Sequence, residues 1–112
     1  MVTDPARPQL SSELMTALRS GDPARIGPAL SNDLQPAAIA LRPGLRRTLA
    51  AGLEYGALGA VVSGSGPTCA FLAADAAHAR EIAVGLTSAG VCRSVARAHG
   101  PVPGAAIVPP AP

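Results

Sequence analysis

The segment Gly56-Ala-Leu-Gly-Ala-Val-Val-Ser-Gly-Ser-Gly-Pro-Thr-Cys-Ala-Phe-Leu72 places a glycine-rich loop between two short apolar runs. Residues 59–62 and residues 68–72 have the length of single strands, and turn-forming residues bound both runs. Serine, glycine and proline occupy residues 63–67, a composition typical of tight turns. The segment therefore predicts a β-hairpin whose loop is rich in glycine.

Four helices are predicted on the N-terminal side of this hairpin, because apolar residues recur there at helical spacing. Pro28 falls inside the second helix, so we expect that helix to be short or kinked. Capping and stop signals set the bounds of these helices. The helices are residues 10–20, closed by Gly21; a helix begun by Asp22 and Pro23; residues 34–41, capped by Asn32 or Asp33; and a helix that carries Leu45, Leu49 and Leu53 and stops at Gly56.

A longer helix and a strand are predicted after the hairpin. Asp75 is placed to cap the helix, and Gly90 is placed to end it. Residues 91–98 alternate valine and arginine with small residues, which predicts a strand, and residues 105–108 allow a final short strand. This order of elements indicates an α+β fold. If the unit is βαββαβ, its first strand is missing.

The length and composition fit one modest globular domain. The chain has 112 residues, of which 48% are apolar, 14% charged and 2% aromatic. We assign residues 1–9 to a flexible lead-in, residues 10–108 to the domain and residues 109–112 to a tail. Tyr55 and Phe71 are the only aromatic residues, so the core is expected to be aliphatic.

The charge pattern argues against several kinds of partner. Nine arginines and no lysine leave no amine for Schiff-base chemistry or for a phosphate-loop lysine. Apart from Arg46 and Arg47 the arginines are scattered, so no basic stripe indicates nucleic acid. No apolar run reaches the ~20 residues that span a bilayer, and no secretion signal is recognisable, which predicts a cytoplasmic protein. Cys69 and Cys92 lack metal-ligand spacing, so we expect reduced thiols and no metal site.

The glycine-rich loop carries the chemistry that the sequence indicates best. Gly64 and Gly66 let the backbone adopt positive φ and let a ligand approach the amides, which suits a phosphate or diphosphate. Ser63, Ser65 and Thr68 add hydroxyl groups beside those amides. A plain hairpin loop has the same composition, so both interpretations stay open on spacing alone. Neither a P-loop nor a dinucleotide-binding glycine pattern is present.

Asn32 and Asp33 are candidates for a role beside this loop. Both precede an apolar helical run, so a helix-capping role is favoured for each. Asn32 is also placed to support the glycine-rich loop from beneath, and Asp33 is a candidate catalytic carboxylate. His78 is predicted to lie on an exposed helix face, and His99 is assigned a structural role.

Three segments resemble the GHMP kinase superfamily, the galactokinase, homoserine, mevalonate and phosphomevalonate kinases. Gly59-Ala-Val-Val-Ser-Gly-Ser-Gly-Pro-Thr68 resembles the third conserved motif of that superfamily. Asn32-Asp33-Leu34 and His99-Gly-Pro-Val-Pro-Gly104 resemble the branch that acts on a diphosphocytidyl methylerythritol. The resemblance implies a ferredoxin-like C-terminal domain, an antiparallel sheet with helices on one face and its first strand missing.

The same resemblance implies what the chain does. Members of that branch transfer the γ-phosphate of ATP, with magnesium, to the 2-hydroxyl of the diphosphocytidyl substrate in non-mevalonate isoprenoid biosynthesis. Gly64, Ser65 and Gly66 would lie near the phosphates at the interface between two lobes. The N-terminal lobe, with its Pro-x-x-x-Gly-Leu-Gly-Ser-Ser-Ala loop, catalytic aspartate and lysine, has no counterpart here. We therefore expect the isolated chain to be inactive, to bind no cofactor tightly, and to be marginally stable or self-associating.

Two alternatives remain at this stage. The chain is a lobe of another kinase of the superfamily, of the homoserine or mevalonate type, or it is a non-enzymatic module that binds an anion or a partner chain through Gly64 to Gly66.

Overall fold

The computed structural model describes residues 11–111, which form five helices and two strands. The expectations for residues 1–9, for Leu10 and for Pro112 lie outside the described residues. The elements in chain order are α1 (Ser12–Ser20), α2 (Pro23–Ala29), α3 (Gln35–Leu41), α4 (Gly44–Glu54), β1 (Gly59–Val62), β2 (Cys69–Leu72) and α5 (Ala76–Ala89). The predicted α+β class is confirmed.

Side-chain caps and left-handed glycines set the bounds of the helices that the sequence predicts best. The side chains of Ser11, Asp22 and Asp75 each accept a backbone N–H in the first turn of α1, α2 and α5. Gly21 and Gly90 end α1 and α5 with φ of 66° and 69°, a conformation that favours glycine. The capping prediction for Asp22 and Asp75 is therefore confirmed.

Helix α3 begins differently from the prediction. Its N-cap residue is Leu34, which makes no side-chain capping bond, and the helix starts at Gln35. The Oδ1 atom of Asn32 instead accepts the N–H of Leu34 at 3.0 Å, a local turn that precedes the helix. Neither Asn32 nor Asp33 caps α3, and this prediction was wrong.

Strands β1 and β2 pair antiparallel as the hairpin prediction requires. Val62 lies opposite Cys69 and Ala60 opposite Phe71. The N–H of Ser63 donates to the carbonyl of Thr68, so the pair next to Val62 and Cys69 is hydrogen-bonded. Because the two kinds of pair alternate along an antiparallel ladder, the Val62–Cys69 and Ala60–Phe71 pairs are of the non-hydrogen-bonded kind. The N–H and C=O groups of these four residues therefore point away from the hairpin, along its two outer edges.

Helices α3, α4 and α5 pack on the hairpin through two small aliphatic clusters. One cluster joins Val62, which is 1% exposed, to Ala38 of α3 and to Leu45 and Leu49 of α4. The second cluster consists of three buried residues of α4 and α5, against which Phe71 and Val91 pack. The buried residues are Ala51, Ile82 and Leu86. The core is aliphatic, as the composition predicts.

Helix α2 contacts β1 through backbone rather than side chains. A Cβ atom added to Gly27 would overlap the carbonyl of Leu58, and one added to Gly59 would overlap the backbone of Gly27. Two glycines thus allow the helix and the strand to touch directly.

The strands predicted at residues 91–98 and 105–108 are absent from the described part of the chain. The carbonyl of Val91 accepts a hydrogen bond from Thr48 Oγ1 at 3.3 Å, and the residues beyond Val91 are exposed. In a βαββαβ sheet the last strand pairs with the first, which no element of residues 11–111 supplies. Both strand predictions were wrong, because a strand needs a neighbour as well as a suitable pattern.

Candidate functional site

A tight turn shapes the glycine-rich loop. The N–H of Gly66 donates to the carbonyl of Ser63 at 2.9 Å, and the N–H of Ser63 donates to Thr68 O at 2.8 Å. Gly64 is the second residue of the turn, with φ of 56°, which a side chain would oppose. These two hydrogen bonds close the loop into a tight turn.

The two central amides of this turn point to open space. Within residues 11–111, the N–H groups of Gly64 and Ser65 donate to no acceptor. Both residues are exposed, and no atom lies within 4 Å of a Cβ placed on Gly64. The exposed hydroxyl groups of Ser63, Ser65 and Thr68 lie on the same loop. Adjacent free amides with hydroxyls beside them can bind an oxyanion.

Asn32 holds the loop from beneath. Its Nδ2 donates to the carbonyls of Val62 at 2.8 Å and of Gly64 at 2.7 Å. A planar trans peptide directs its C=O and N–H to opposite sides. Because the carbonyl of Gly64 is held toward Asn32, the N–H of Ser65 in the same peptide group points away from Asn32.

Gln35 is a second supporting residue, which the sequence analysis missed. Its Oε1 accepts the N–H of Val62 at 2.9 Å, so Asn32 and Gln35 together satisfy both outward backbone groups of that residue. The contact spans 27 positions along the chain. A polar residue at the start of a predicted helix was the only signal, and it did not point to the loop.

The structure does not bring every candidate residue to the loop. Asp33 is exposed, and among the described residues its side chain makes no hydrogen bond to residues 63–68. His78 was predicted to be exposed but is half-buried, and its Nδ1 accepts the N–H of Ala74 at 2.9 Å. His99 is exposed. Burial raises the pKa of the Cys69 thiol above its ordinary value.

An open groove of about 480 Å³ lies beside the loop support. Asn32 and Gln35 form part of its wall, which links it to the loop. Its other lining residues include Leu30, Ser31, Ile39 and Arg46.

Residues 11–111 hold no group of three or more His, Cys, Asp or Glu side chains that could ligate a metal ion. No helix among these residues combines the length and the apolar character needed to cross a membrane.

Comparison with known families assigns this fold and loop to a class. The family described as "GHMP kinases C terminal" matches residues 14–92, which include the hairpin and its loop. The chain belongs to this family. Its α+β fold with a two-stranded antiparallel sheet is therefore the GHMP kinase C-terminal fold.

Close relatives carry the name of one kinase. The chain is 59% identical over 94% of its length to 4-diphosphocytidyl-2-C-methyl-D-erythritol kinase of Thermobifida fusca. It is 57% identical over 96% of its length to the kinase of that name from Mycolicibacterium gilvum. It covers 34% and 33% of those two proteins, so it spans about a third of the curated relatives it matches.

A solved structure shows the same fold in a related enzyme. Homoserine kinase from Cytophaga hutchinsonii superposes with a TM-score of 0.53 at 26% identity, covering 73% of this chain and 30% of that protein. The recognition of a kinase C-terminal domain from three sequence segments is thus confirmed.

Proposed function

We propose that the chain is the C-terminal lobe of an ATP-dependent kinase that phosphorylates the 2-hydroxyl of 4-diphosphocytidyl-2-C-methyl-D-erythritol in non-mevalonate isoprenoid biosynthesis. The names of relatives at 57–59% identity support this substrate. One structural observation carries the proposal: the free amides of Gly64 and Ser65 face outward from a loop that Asn32 clamps. Because ATP is an intracellular substrate, we place the protein in the cytoplasm.

The loop residues act by position and charge rather than by proton transfer. Catalysis of phosphoryl transfer depends mainly on alignment and on stabilising negative charge. The N–H groups of Gly64 and Ser65 bind phosphate oxygens in this proposal, and the hydroxyls of Ser63 and Thr68 add further contacts. Asn32 and Gln35 hold the backbone beside these donors through Val62 and Gly64.

ATP and magnesium fit this lobe unequally. The donors on the loop suit phosphate oxygens, which ATP provides, but N–H groups do not ligate a cation. No cluster of carboxylates among residues 11–111 suits magnesium, which prefers oxygen ligands. Magnesium, when bound, neutralises phosphate charge, and its ligands are assigned to the rest of the kinase.

The remaining two thirds of the kinase are the proposed partner. Cys69 and Phe71 present an outer edge of β2 whose backbone groups bond to nothing within residues 11–111, and residues 91–98 lack a neighbouring strand. One strand placed between β2 and residues 91–98 would pair with the free backbone groups of both segments. We therefore expect the chain alone to lack kinase activity and to bind nucleotides weakly.

A chimera tests the proposal directly. The C-terminal third of the Thermobifida fusca kinase is replaced by this chain, and ATP-dependent phosphorylation of the diphosphocytidyl substrate is measured. We expect activity close to that of the parent. Gly64→Val forces a β-branched residue into positive φ and should lower kcat by about 100-fold, as loss of aligned amide donors does.

Gly21→Val is the matched control, since Gly21 also has positive φ, is exposed, has nothing within 4 Å and lies outside the loop. An inactive but folded chimera would contradict the proposal, as would equal activity of the Gly64 and Gly21 variants. The likeness to homoserine kinase supports a second candidate, a lobe for homoserine phosphorylation. Phosphorylation of homoserine in preference to the diphosphocytidyl substrate would select it.

A further inference from the structure

Helix α3 is apolar on every side after its first residue. Beyond Gln35 its sequence is Pro36-Ala-Ala-Ile-Ala-Leu41, without a charged or polar side chain. A helix that lacks a polar face is typically buried inside a protein. The exposed positions of the neighbouring helices differ, because α4 exposes Arg46 and Arg47 and α5 exposes Arg80. The sequence of α3 is therefore suited to burial on more than one side.

The structure covers α3 on one side. Ala38 is 6% exposed and lies in the aliphatic cluster with Val62, to which Gln35 also bonds. Leu34 and Leu41 lie on another side of the helix and are 42% and 75% exposed. Leu41 is more exposed than any other leucine of residues 11–111. The large side chains of this helix thus face solvent, although nothing polar accompanies them.

Leu34 and Leu41 belong to one stripe on the helix surface. Positions seven residues apart lie on the same face of an α-helix, about 10 Å apart along its axis. Leu34 has helical backbone angles, and half-buried Ala37 lies between the two leucines. Exposed Asp33 and Arg42 flank the stripe at its two ends. An apolar surface with a polar rim is typical of a protein–protein interface. We call Leu34, Ala37 and Leu41 the α3 stripe.

The α3 stripe begins one side chain away from the glycine-rich loop. Asn32 donates to the carbonyl of Gly64 in the loop and accepts the N–H of Leu34, the first residue of the stripe. The chain spans about a third of the kinases it matches, so the other two thirds of such a kinase have to pack against this lobe. A lobe that closes over the loop is therefore within reach of the stripe.

We propose that the α3 stripe is a docking surface for the part of the kinase that this chain does not span, and that an apolar surface of that part packs on Leu34 and Leu41. The inference rests on the proposed function, because its partner is the lobe that completes the kinase. Gln35 joins α3 to the β1 edge of the hairpin, whereas the added strand is assigned to the β2 edge. The lobe is thus held at both edges of the hairpin.

Hydroxyl-radical footprinting read by mass spectrometry tests whether the α3 stripe is covered. The 112-residue chain and the folded chimera are labelled in parallel. Leu53 is the internal reference, because it is an exposed leucine in the last turn of α4, a helix with exposed arginines. From the chain to the chimera, labelling of Leu41 should fall several-fold while that of Leu53 stays the same.

Two footprinting results would overturn the inference. Equal labelling of Leu41 in the chain and in the folded chimera would show that no lobe covers the stripe. Protection of Leu41 in the chain alone, together with a dimer in analytical ultracentrifugation, would assign the stripe to a second copy of the chain.

A polar substitution measures what the contact contributes. Leu41→Gln keeps a side chain of similar length and helix propensity, so the Tm of the 112-residue chain should not change. In the chimera it should lower the Tm by about 3 to 5 °C, because the buried amide has no partner. Leu53→Gln is the matched control and should leave the Tm of both proteins unchanged. Equal Tm values for the two variant chimeras would overturn the inference.

Activity separates this inference from the proposed function. A folded chimera that protects Leu41 but does not phosphorylate the diphosphocytidyl substrate defeats the proposed function and supports the docking surface. An active chimera in which Leu41 stays labelled defeats the docking surface and leaves the proposed function standing.

Discussion

The two outer edges of the hairpin differ, although both strands are four residues long. On the β1 edge, side chains of the loop before α3 and of α3 itself bond the N–H and C=O of Val62. On the β2 edge, the corresponding groups of Cys69 and Phe71 have no partner within residues 11–111. Val62 is almost fully buried, whereas Cys69 and Phe71 are half-buried.

This difference separates Val62, whose outward backbone groups are bonded by side chains of the same chain, from Cys69 and Phe71, whose outward groups are open to another strand. The β1 edge supports the glycine-rich loop, so the loop geometry forms within the chain. The β2 edge is the place where a central strand would join the sheet to residues 91–98. An edge strand without charge or proline readily pairs with another strand.

The largest expected effect lies on the β1 side. Gly27→Val places a branched side chain against the backbone of Leu58 and Gly59, so α2 must move away from β1. We expect the free energy of unfolding to fall by about 3 kcal/mol or more, measured by urea denaturation. Gly44→Ala is the control, since nothing lies within 4 Å of its Cβ, and should not destabilise the chain. Equal stability of the two variants would refute the close contact.

Removal of the edge supports should have the next largest effect. Asn32→Ala leaves two carbonyls without their donor, and we expect a loss of about 2 kcal/mol. Gln35→Ala leaves one buried N–H and should cost about 1 kcal/mol. Asp33→Ala removes an exposed side chain and should change little. A loss for Asp33 equal to that for Asn32 would contradict the assignment of the support to Asn32.

Proline substitution probes the β2 edge. Cys69→Pro removes an N–H that points outward, and proline is tolerated on the free side of an edge strand. In the chain alone, the free energy of unfolding of Cys69→Pro should lie within about 0.5 kcal/mol of that of Cys69→Ala. In the active chimera, Cys69→Pro should abolish activity while Cys69→Ala preserves it. Similar behaviour of the two variants in the chimera would show that no strand adds there.

Thiol reactivity gives the smallest expected difference. Burial raises the pKa of Cys69, so less of it is thiolate at a given pH, while Cys92 is exposed. We expect iodoacetamide at pH 8 to label Cys92 several-fold faster than Cys69, as measured by peptide mass spectrometry. Faster labelling of Cys69 would show that the face of β2 against the helices opens in solution.

The sequence predicts elements that local signals determine. The Asp22 and Asp75 caps, the left-handed Gly21 and Gly90, and the hairpin follow from residues close together in the chain. The bond from Gln35 to Val62 joins distant residues, and no local pattern encodes it. The sequence predicts two roles for Asn32, helix capping and support of the loop, and favours capping. Only the tertiary fold shows that Asn32 bonds to Gly64 in the loop.

The missing strand illustrates a second limit. Residues 91–98 have a strand pattern, yet they stay unpaired because a strand depends on its neighbour as much as on its own sequence. A period-two pattern therefore predicts the capacity to pair. It does not predict that a partner strand lies among residues 11–111.

Amide hydrogen exchange tests the central claim most directly, by comparing the 112-residue chain with the active chimera. In the chain alone, the amide of Val62 should be protected while those of Cys69, Phe71 and residues 93–97 exchange rapidly. In the chimera, all of these amides should be protected, because the added strand pairs on both sides. Protection of Cys69 and Phe71 in a monomeric chain alone, or their rapid exchange in the active chimera, would contradict the account.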